Sequence, residues 1–344
     1  MTMNFKEDHA LQPFWQLVAA PIQTQALELA LAKGLLNALE HHATIDEVAE
    51  RFALHPRNTA VWLELLWSMG MLSRIRPMGA YATMYVASPL ARRFFSPASA
   101  EDCSQAWLYR AGFLRGFAGQ MGDFIAQAEA APPAEPANPA AWARAAQAQI
   151  AQEQRAVTVP AALQLLRNLP ALPACCRFLD LGGGPGLVAI ALATTYAAWQ
   201  GTVCDLPEAA QIAQANIDEA GLSSRIATLG ANLDRDPIGS GYDLIWCSSV
   251  LHFVQDIDAV LRKMFQALKP GGRLLLAHAE QREDAEICAR VLPFYTPMRM
   301  RGRYLPEQGE LASAMIDAGF EPVDALEPAC FPMAPAWVYI GRRP

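Results

Sequence analysis

The residues best placed to do chemistry in this chain lie in the stretch RFLDLGGGPGLVAIALA, from Arg177 to Ala193, where Asp180, Gly182, Gly184 and Gly186 alternate across a turn between an apolar run and a helical one. Glycines at such a turn let the backbone approach a ligand closely. The dinucleotide pattern G-x-G-x-x-G fails, because the sixth position counted from Gly182 is Leu187, and no Gly-Lys-Ser/Thr ending of a phosphate loop follows. A carboxylate two residues ahead of the first glycine would repel a pyrophosphate. It suits an ammonium, while the N-terminus of the helix beyond the turn can accept a carboxylate. The turn therefore reads as a seat for a phosphate-free ligand with an amino acid end. Asp205 closes the next apolar run about twenty residues further on, where an acidic side chain can accept from both hydroxyls of a ribose. Nicotinamide sites share the second carboxylate, so Asp180 is the discriminating residue.

These residues need a frame to position them, and from Arg177 the chain alternates regularly. Strands are expected at RFLDLG, GTVCDL, RIATLGA, YDLIWCSSV and RLLLAHAE, and helices at GLVAIALATTY, EAAQIAQANIDEA and DIDAVLRKMFQAL. Such alternation implies a parallel sheet covered on both faces, with ligands beyond the carboxyl ends of its strands. A helix at GELASAMIDAGF and a strand at AWVYIGRR complete it.

The first hundred residues are expected to be mainly helical. IQTQALELALAKGLLNALE has helical apolar spacing interrupted at Gly34, TIDEVAERFAL opens with Thr44 and Glu47 in capping-box spacing, and NTAVWLELLWSMGML forms a third helix. A short hairpin follows, turning around Pro77 to Gly79. Helix, helix, wing is a winged-helix pattern, which raises DNA binding. The third helix carries only Arg57 near its start, so docking on phosphates is not expected; apolar helix faces meeting a second copy fit better. Residues 103–168 read as a helical connector broken by the prolines of AEAAPPAEPANPAAW, with Trp107, Phe113, Phe117, Met121 and Trp142 available for packing or for roofing a pocket.

Composition narrows the partners. The 344 residues are 53% hydrophobic and 18% charged, with a net charge of −7 and no basic block, which argues against nucleic acid. The seven cysteines are an odd number without C-x-x-C spacing, so reduced thiols and a cytoplasmic location are expected. No segment approaches the ~20 uninterrupted apolar residues of a membrane helix, and MTMNFKEDHALQPFWQ places acidic residues where a secretory signal is basic. No convergent cluster of histidines and carboxylates is visible, so no metal is expected.

With LDLGGGPG, CDLP, SSVLHFVQD and ALKPGGRLLLA in this order, nearly the whole chain resembles the class I S-adenosylmethionine-dependent methyltransferases, and within them the small-molecule O-methyltransferases with an N-terminal dimerisation domain. S-adenosylmethionine carries the amino acid end and the ribose that the turn and Asp205 call for. The resemblance implies an α/β fold: a Rossmann-like doubly wound sheet (169–344), a helical connector and pocket roof (103–168), and a mainly helical winged-helix-like domain (1–102) through which a homodimer forms. It implies cofactor contacts from Asp180, Gly182, Gly184, Gly186, Asp205, Leu206, Asn232, Leu233 and Ser248. His252 falls on the family's general base, and an imidazole, with an ordinary pKa near ~6.5, can take a hydroxyl proton as the methyl is transferred. The acceptor, an aromatic or polyketide-like small molecule, would lie between the domains near Trp107, Phe113, Tyr295, Met298 and Arg299, with Arg301 and Arg303 as further candidates to meet an acidic group.

Three positions depart from the family pattern. Ala231 replaces an acidic residue, which shifts the adenine contact to Asn232 or Asp234; Phe253 and Val254 replace an aspartate and a tryptophan. His278 stands where a glutamate orients the base, with Glu280 two residues on and on the same face if the strand continues. The departures leave open methylation of carbon or nitrogen, or a relative that keeps the cofactor for non-methylating chemistry.

Overall fold

The computed structural model describes residues 9–76, 82–126, 149–170, 172–329 and 334–344. The turn at Pro77 to Gly79, the proline-rich stretch with Trp142, and Cys330 lie outside them. The chain divides into two compact units, Met1–Ala111 and Gly112–Pro344, with the division inside the helix Ser104–Ala118.

In the first unit the helix Gln12–Ala32 is followed by Gly34, whose φ of +68° ends it and starts the short helix Leu35–Ala38. The helix Ile45–Arg51 begins at the capping box: Thr44 N–H donates to Glu47 Oε2 (2.7 Å) and Glu47 N–H to Thr44 Oγ1 (3.3 Å). Pro56–Ser68 forms the third helix. Strands β1 (Ala43–Thr44), β2 (Leu72–Ile75) and β3 (Met84–Ala87) make an antiparallel sheet in the order β1-β3-β2. Leu35, Leu63, Leu66, Leu72 and Tyr85 fill the core between them.

The second unit is built on a seven-stranded sheet of β4 (Arg177–Leu181), β5 (Gln200–Asp205), β6 (Ile226–Gly230), β7 (Tyr242–Ser248), β8 (Leu268–His278), β9 (Val323–Ala329) and β10 (Ala336–Arg342). Its order is β6-β5-β4-β7-β8-β10-β9, with β10 antiparallel to both neighbours and the other pairs parallel. Apart from the first residue of β4 and the last of β7, these two strands are buried along their length, as central parallel strands covered on both faces must be. The chain moves outward from β4 through β5 to β6, then returns to the other side of β4 with β7. That reversal opens a crevice at the carboxyl ends of β4 and β7, the place such sheets bind ligands.

Two elements of this unit were not anticipated. Edge strand β9 contains acidic residues and a proline, a poor strand signal. The helix Ala285–Arg299 contains Pro293 and Pro297, which mask its periodicity, although Asp284 caps it by accepting from Glu286 and Ile287 N–H.

Candidate active site

The glycine turn leaves β4 and enters the helix Leu187–Thr195. Gly182, Gly184 and Gly186 have φ of +69°, +54° and +77°, a region open to glycine. At Gly182 a Cβ would stand 2.2 Å from Val250 Cγ2, and at Gly183 2.8 Å from Asp180 Cγ, so the turn is packed from both sides. The Asp180 side chain lies beneath it, 1% exposed, accepting from Ala189 N–H at 3.1 Å. Burial, together with the nearby Asp205 charge, pushes its carboxyl up to about 7 against the lowering effect of the Ala189 bond. Asp180 thus braces the turn and the first turn of the helix, rather than presenting an open carboxylate above them.

A residue that sequence reasoning missed closes the turn from above. Gln154, 8% exposed, sits at the start of a π-helical turn, Gln154–Thr158. It donates from Nε2 to Gly183 O (3.0 Å) and accepts at Oε1 from Leu187 N–H (3.2 Å). Asn216 Nδ2 donates to Pro185 O at 2.9 Å. Nothing in a lone glutamine, distant in sequence from the glycines, signals this; a π-turn is, however, a frequent mark of a functional site.

Asp205 ends β5 beside the turn, its Oδ2 accepting from Gly184 N–H and its Oδ1 from Leu206 N–H, each at 2.7 Å. Beyond β6, Ala231 N–H donates to Asp205 O, and Asn232 N–H to Asp236 Oδ2. Asn232 Oδ1 accepts from Asp234 N–H, and Asp234 Oδ1 from Gln255 N–H. Those oxygens hold the loop in shape, and Lys263 Nζ ties it down by donating to the carbonyls of Leu233 and Asp236. Leu233 packs against the core of the unit.

At the end of β7, Ser248 is followed by Ser249 with φ of +56°, a strained value for a residue with a side chain. Ser249 N–H donates to Ala277 O on β8, and the turn sends Val250 onto Gly182. The next residues form one 3₁₀ turn, Leu251–Phe253, carrying His252. His252 is 5% exposed, with Tyr295 edge-on at 5.7 Å between ring centroids and Phe253 at 4.1 Å. Its Nδ1 lies 3.3 Å from Nε2 of His278, the fully buried last residue of β8. His278 Nδ1 faces the carbonyl of Ala279 at 2.6 Å, and burial pushes this imidazole down to about 4.

Glu280 is placed elsewhere. β8 ends at His278, so the condition under which Glu280 would share its face, a strand that continues, is not met. Its carboxylate accepts from Tyr339 O–H (2.7 Å), Gly309 N–H (3.3 Å) and Arg282, whose guanidinium stacks 4.2 Å over Trp337. This is a buried structural network, and of the two candidates His278 alone meets the His252 ring.

The proposed acceptor residues have different surroundings. Tyr295 is buried against both histidines, and Met298 packs on the same core. Phe113 is exposed at 37% on the helix Ser104–Ala118, and Trp107 meets Phe95 edge-on within the first unit. Each of the three arginines meets a different group. Arg299 donates to Gln281, Arg301 lies over Phe117 and Phe124 and donates to Pro297 O, and Arg303 donates to Phe253 O.

The groups touching the glycine turn are two carboxylates, a glutamine, an asparagine and apolar side chains, with backbone N–H groups between them. That set brings acidic and neutral groups and no cation to the turn, which suits a phosphate-free ligand better than a pyrophosphate. A parallel sheet reversing between β4 and β7, with an acidic-glycine turn after the central strand, is the class I methyltransferase fold. Residues 179–274 match the family described as methyltransferase domain, and this part of the chain is such a domain.

Among curated relatives, 3-hydroxy-5-methyl-1-naphthoate 3-O-methyltransferase of Streptomyces sahachiroi is 35% identical over 103 residues, 29% of this chain and 30% of that protein. L-tyrosine C(3)-methyltransferase of Streptomyces lavendulae is 26% identical over 151 residues, 42% of this chain and 41% of that protein. The chain thus matches less than half the length of each. Among solved structures, human N-acetylserotonin methyltransferase in complex with SAM has the same fold, with a TM-score of 0.77 at 18% identity over 99% of both chains.

Proposed function

We propose that this protein uses S-adenosylmethionine to methylate a hydroxyl of an aromatic or polyketide-like small molecule, with His252 as the general base. The observation that carries the reading is the His252–His278 pair, on a turn whose Val250 packs directly against Gly182. When bound, S-adenosylmethionine supplies an electrophilic methyl on a sulfonium sulfur. The turn of Gly182, Gly184 and Gly186 seats the amino acid end, held in shape by Asp180 and Gln154, and Asp205 with Leu206 takes the ribose. Asn232, Leu233 and Ser248 line the remaining edge. His252 receives the acceptor proton as the oxygen becomes nucleophilic, while Leu251, Val254 and Tyr295 keep water away from the reacting line.

A homodimer belongs to this reading, because Phe14, Trp15, Leu17, Val18 and Ile22 of the helix Gln12–Ala32 are all exposed. No described helix is long and apolar enough to cross a membrane, and burial pushes the thiols of Cys176 and Cys204 up to about 12, as suits inert thiols of a cytoplasmic protein.

The test is His252→Ala. Turnover of a phenolic acceptor should fall about 10²- to 10⁴-fold with calorimetric cofactor affinity retained, and unchanged turnover would remove His252 from the mechanism. A second reading, methylation of carbon, is favoured by the absence of a carboxylate at position 278 and by the tyrosine C-methyltransferase among the relatives. Isotope-labelled methyl located by NMR on carbon rather than oxygen would establish it.

A further inference from the structure

The segment that closes the glycine turn carries a second glutamine. Residues Gln149 to Gln154 lead into the π-helical turn Gln154–Thr158, and two of their side chains meet the glycines. A Cβ at Gly184 would stand 3.4 Å from Ile150 Cγ2, and Gln154 holds Gly183 O and Leu187 N–H. Gln149 immediately precedes Ile150 and is 6% exposed, yet its Oε1 is buried with no hydrogen-bond partner. A buried acceptor without a donor forfeits its bonds to water and regains nothing, so such an atom calls for a reason. Among the described residues the other buried side-chain atom of this kind is Arg282 Nε, but that guanidinium is already held by Glu280 and by the Trp337 ring.

The ligand that suits this turn brings the missing donor. The amino acid end of S-adenosylmethionine carries an α-ammonium, all donors and positively charged, beside a carboxylate that can only accept. The sequence offers Asp180 to the ammonium. In the fold that carboxyl lies beneath the turn, 1% exposed, where it accepts from Ala189 N–H, and burial pushes it up to about 7, which weakens it as a counter-charge near neutrality. Asp205 has each oxygen on a backbone N–H, and Gly183 O accepts from Gln154. Gln149 Oε1 is an acceptor with its lone pairs still unused, on the same short segment that covers the turn. An amide oxygen attracts an ammonium and repels a carboxylate, so the type of atom selects which group it would meet.

We propose that Gln149 is a cofactor-binding residue whose Oε1 accepts a hydrogen bond from the α-ammonium of S-adenosylmethionine, and that it discriminates against ligands lacking this amine. The inference rests on the turn being an S-adenosylmethionine site. A neutral acceptor performs the recognition by a directed dipole, so no isolated carboxylate has to be kept buried between turnovers.

Calorimetry tests this with S-adenosylhomocysteine and its desamino analogue, in which hydrogen replaces the amine, on the native protein, Gln149→Met and Gln149→Glu. Methionine keeps the length of the side chain and removes its polar end. The native protein should prefer the ligand with the amine, and Gln149→Met should lose about tenfold or more of that preference, the worth of a hydrogen bond to a charged group. The desamino analogue should bind this variant within about twofold of native. Glutamate keeps an acceptor at the same reach and should restore the preference. Should burial of its charge unfold that variant, judged by circular dichroism, the methionine variant decides. Equal losses for the two ligands, or a preference that methionine leaves unchanged, would overturn this inference while the cofactor reading stands. Failure of the native protein to bind either S-adenosylmethionine or S-adenosylhomocysteine would overturn both.

Discussion

Replacing Gly182 with alanine tests the packing of the cofactor turn directly. The new Cβ would lie 2.2 Å from Val250 Cγ2, 3.1 Å from Cγ1 and 3.3 Å from Cβ, and the backbone is held at φ of +69°. The positive φ costs about 1–2 kcal/mol for a residue with a Cβ. Overpacking against a buried β-branched side chain adds about 1–3 kcal/mol. A loss of roughly 3 kcal/mol is therefore expected, a fall in melting temperature of about 6–12 °C for a unit of this size, with cofactor affinity lowered as the turn shifts. The two causes separate in a double-mutant cycle with Val250→Ala. Removing both Cγ atoms relieves the clash but not the backbone strain, so the pair should be coupled by about 1–3 kcal/mol. Urea denaturation of the four proteins measures this. Strictly additive losses, or a Gly182→Ala protein within about 0.5 kcal/mol of the parent, would refute the account of Val250 as the wall behind the turn.

Gln154→Ala removes two hydrogen bonds and should weaken calorimetric binding of S-adenosylmethionine about tenfold, on the basis of roughly 1–1.5 kcal/mol for the ordering lost; unchanged affinity would make the glutamine a packing residue. Asp180 has a carboxyl raised above its unfolded value, so between about pH 4 and 7 the folded protein holds a proton that the unfolded chain releases, and stability falls as pH rises through that window. Asp180→Asn should flatten the dependence seen in urea titrations, leaving the part due to Asp205, also raised chiefly by burial; an unaltered slope would contradict the buried environment. Trp15→Glu together with Val18→Glu should convert a dimer into a monomer by light scattering, whereas a parent already monomeric would remove the dimer from the proposal.

Much of the second unit was legible because its strands are short apolar runs punctuated by turns, and the central ones cannot be read otherwise. The glycine turn and Asp205 stand out by residue type in sequence order, whereas His252 stands out only through the resemblance of SSVLHFVQD to the methyltransferase family. What stayed hidden depends on atoms that meet only after folding. Gln154 belongs to a π-turn outside the sheet, and Ser249 carries its strain in a backbone angle that serine does not advertise. Asp180 could be placed before the turn but not beneath it, since nothing local says that Ala189 N–H takes its carboxylate. The choice between His278 and Glu280 turned on where β8 ends, and strand ends are set by pairing with β7 and β10 rather than by the sequence of β8 itself.

The clasp made by Gln154 also bears on modularity. Sequence similarity draws the methyltransferase domain at residues 179–274, yet the glycine turn inside it is closed by a side chain 25 positions before that boundary. A fragment cut at the domain edge would keep every glycine and both carboxylates, and would still expose the carbonyl of Gly183 and the amide of Leu187 that the glutamine holds in the intact chain. The stretch that sequence similarity matches and the stretch that holds the turn in shape are therefore different lengths of polypeptide. Grafting or recombination that respects only the former would transmit the motif without the element that holds its shape.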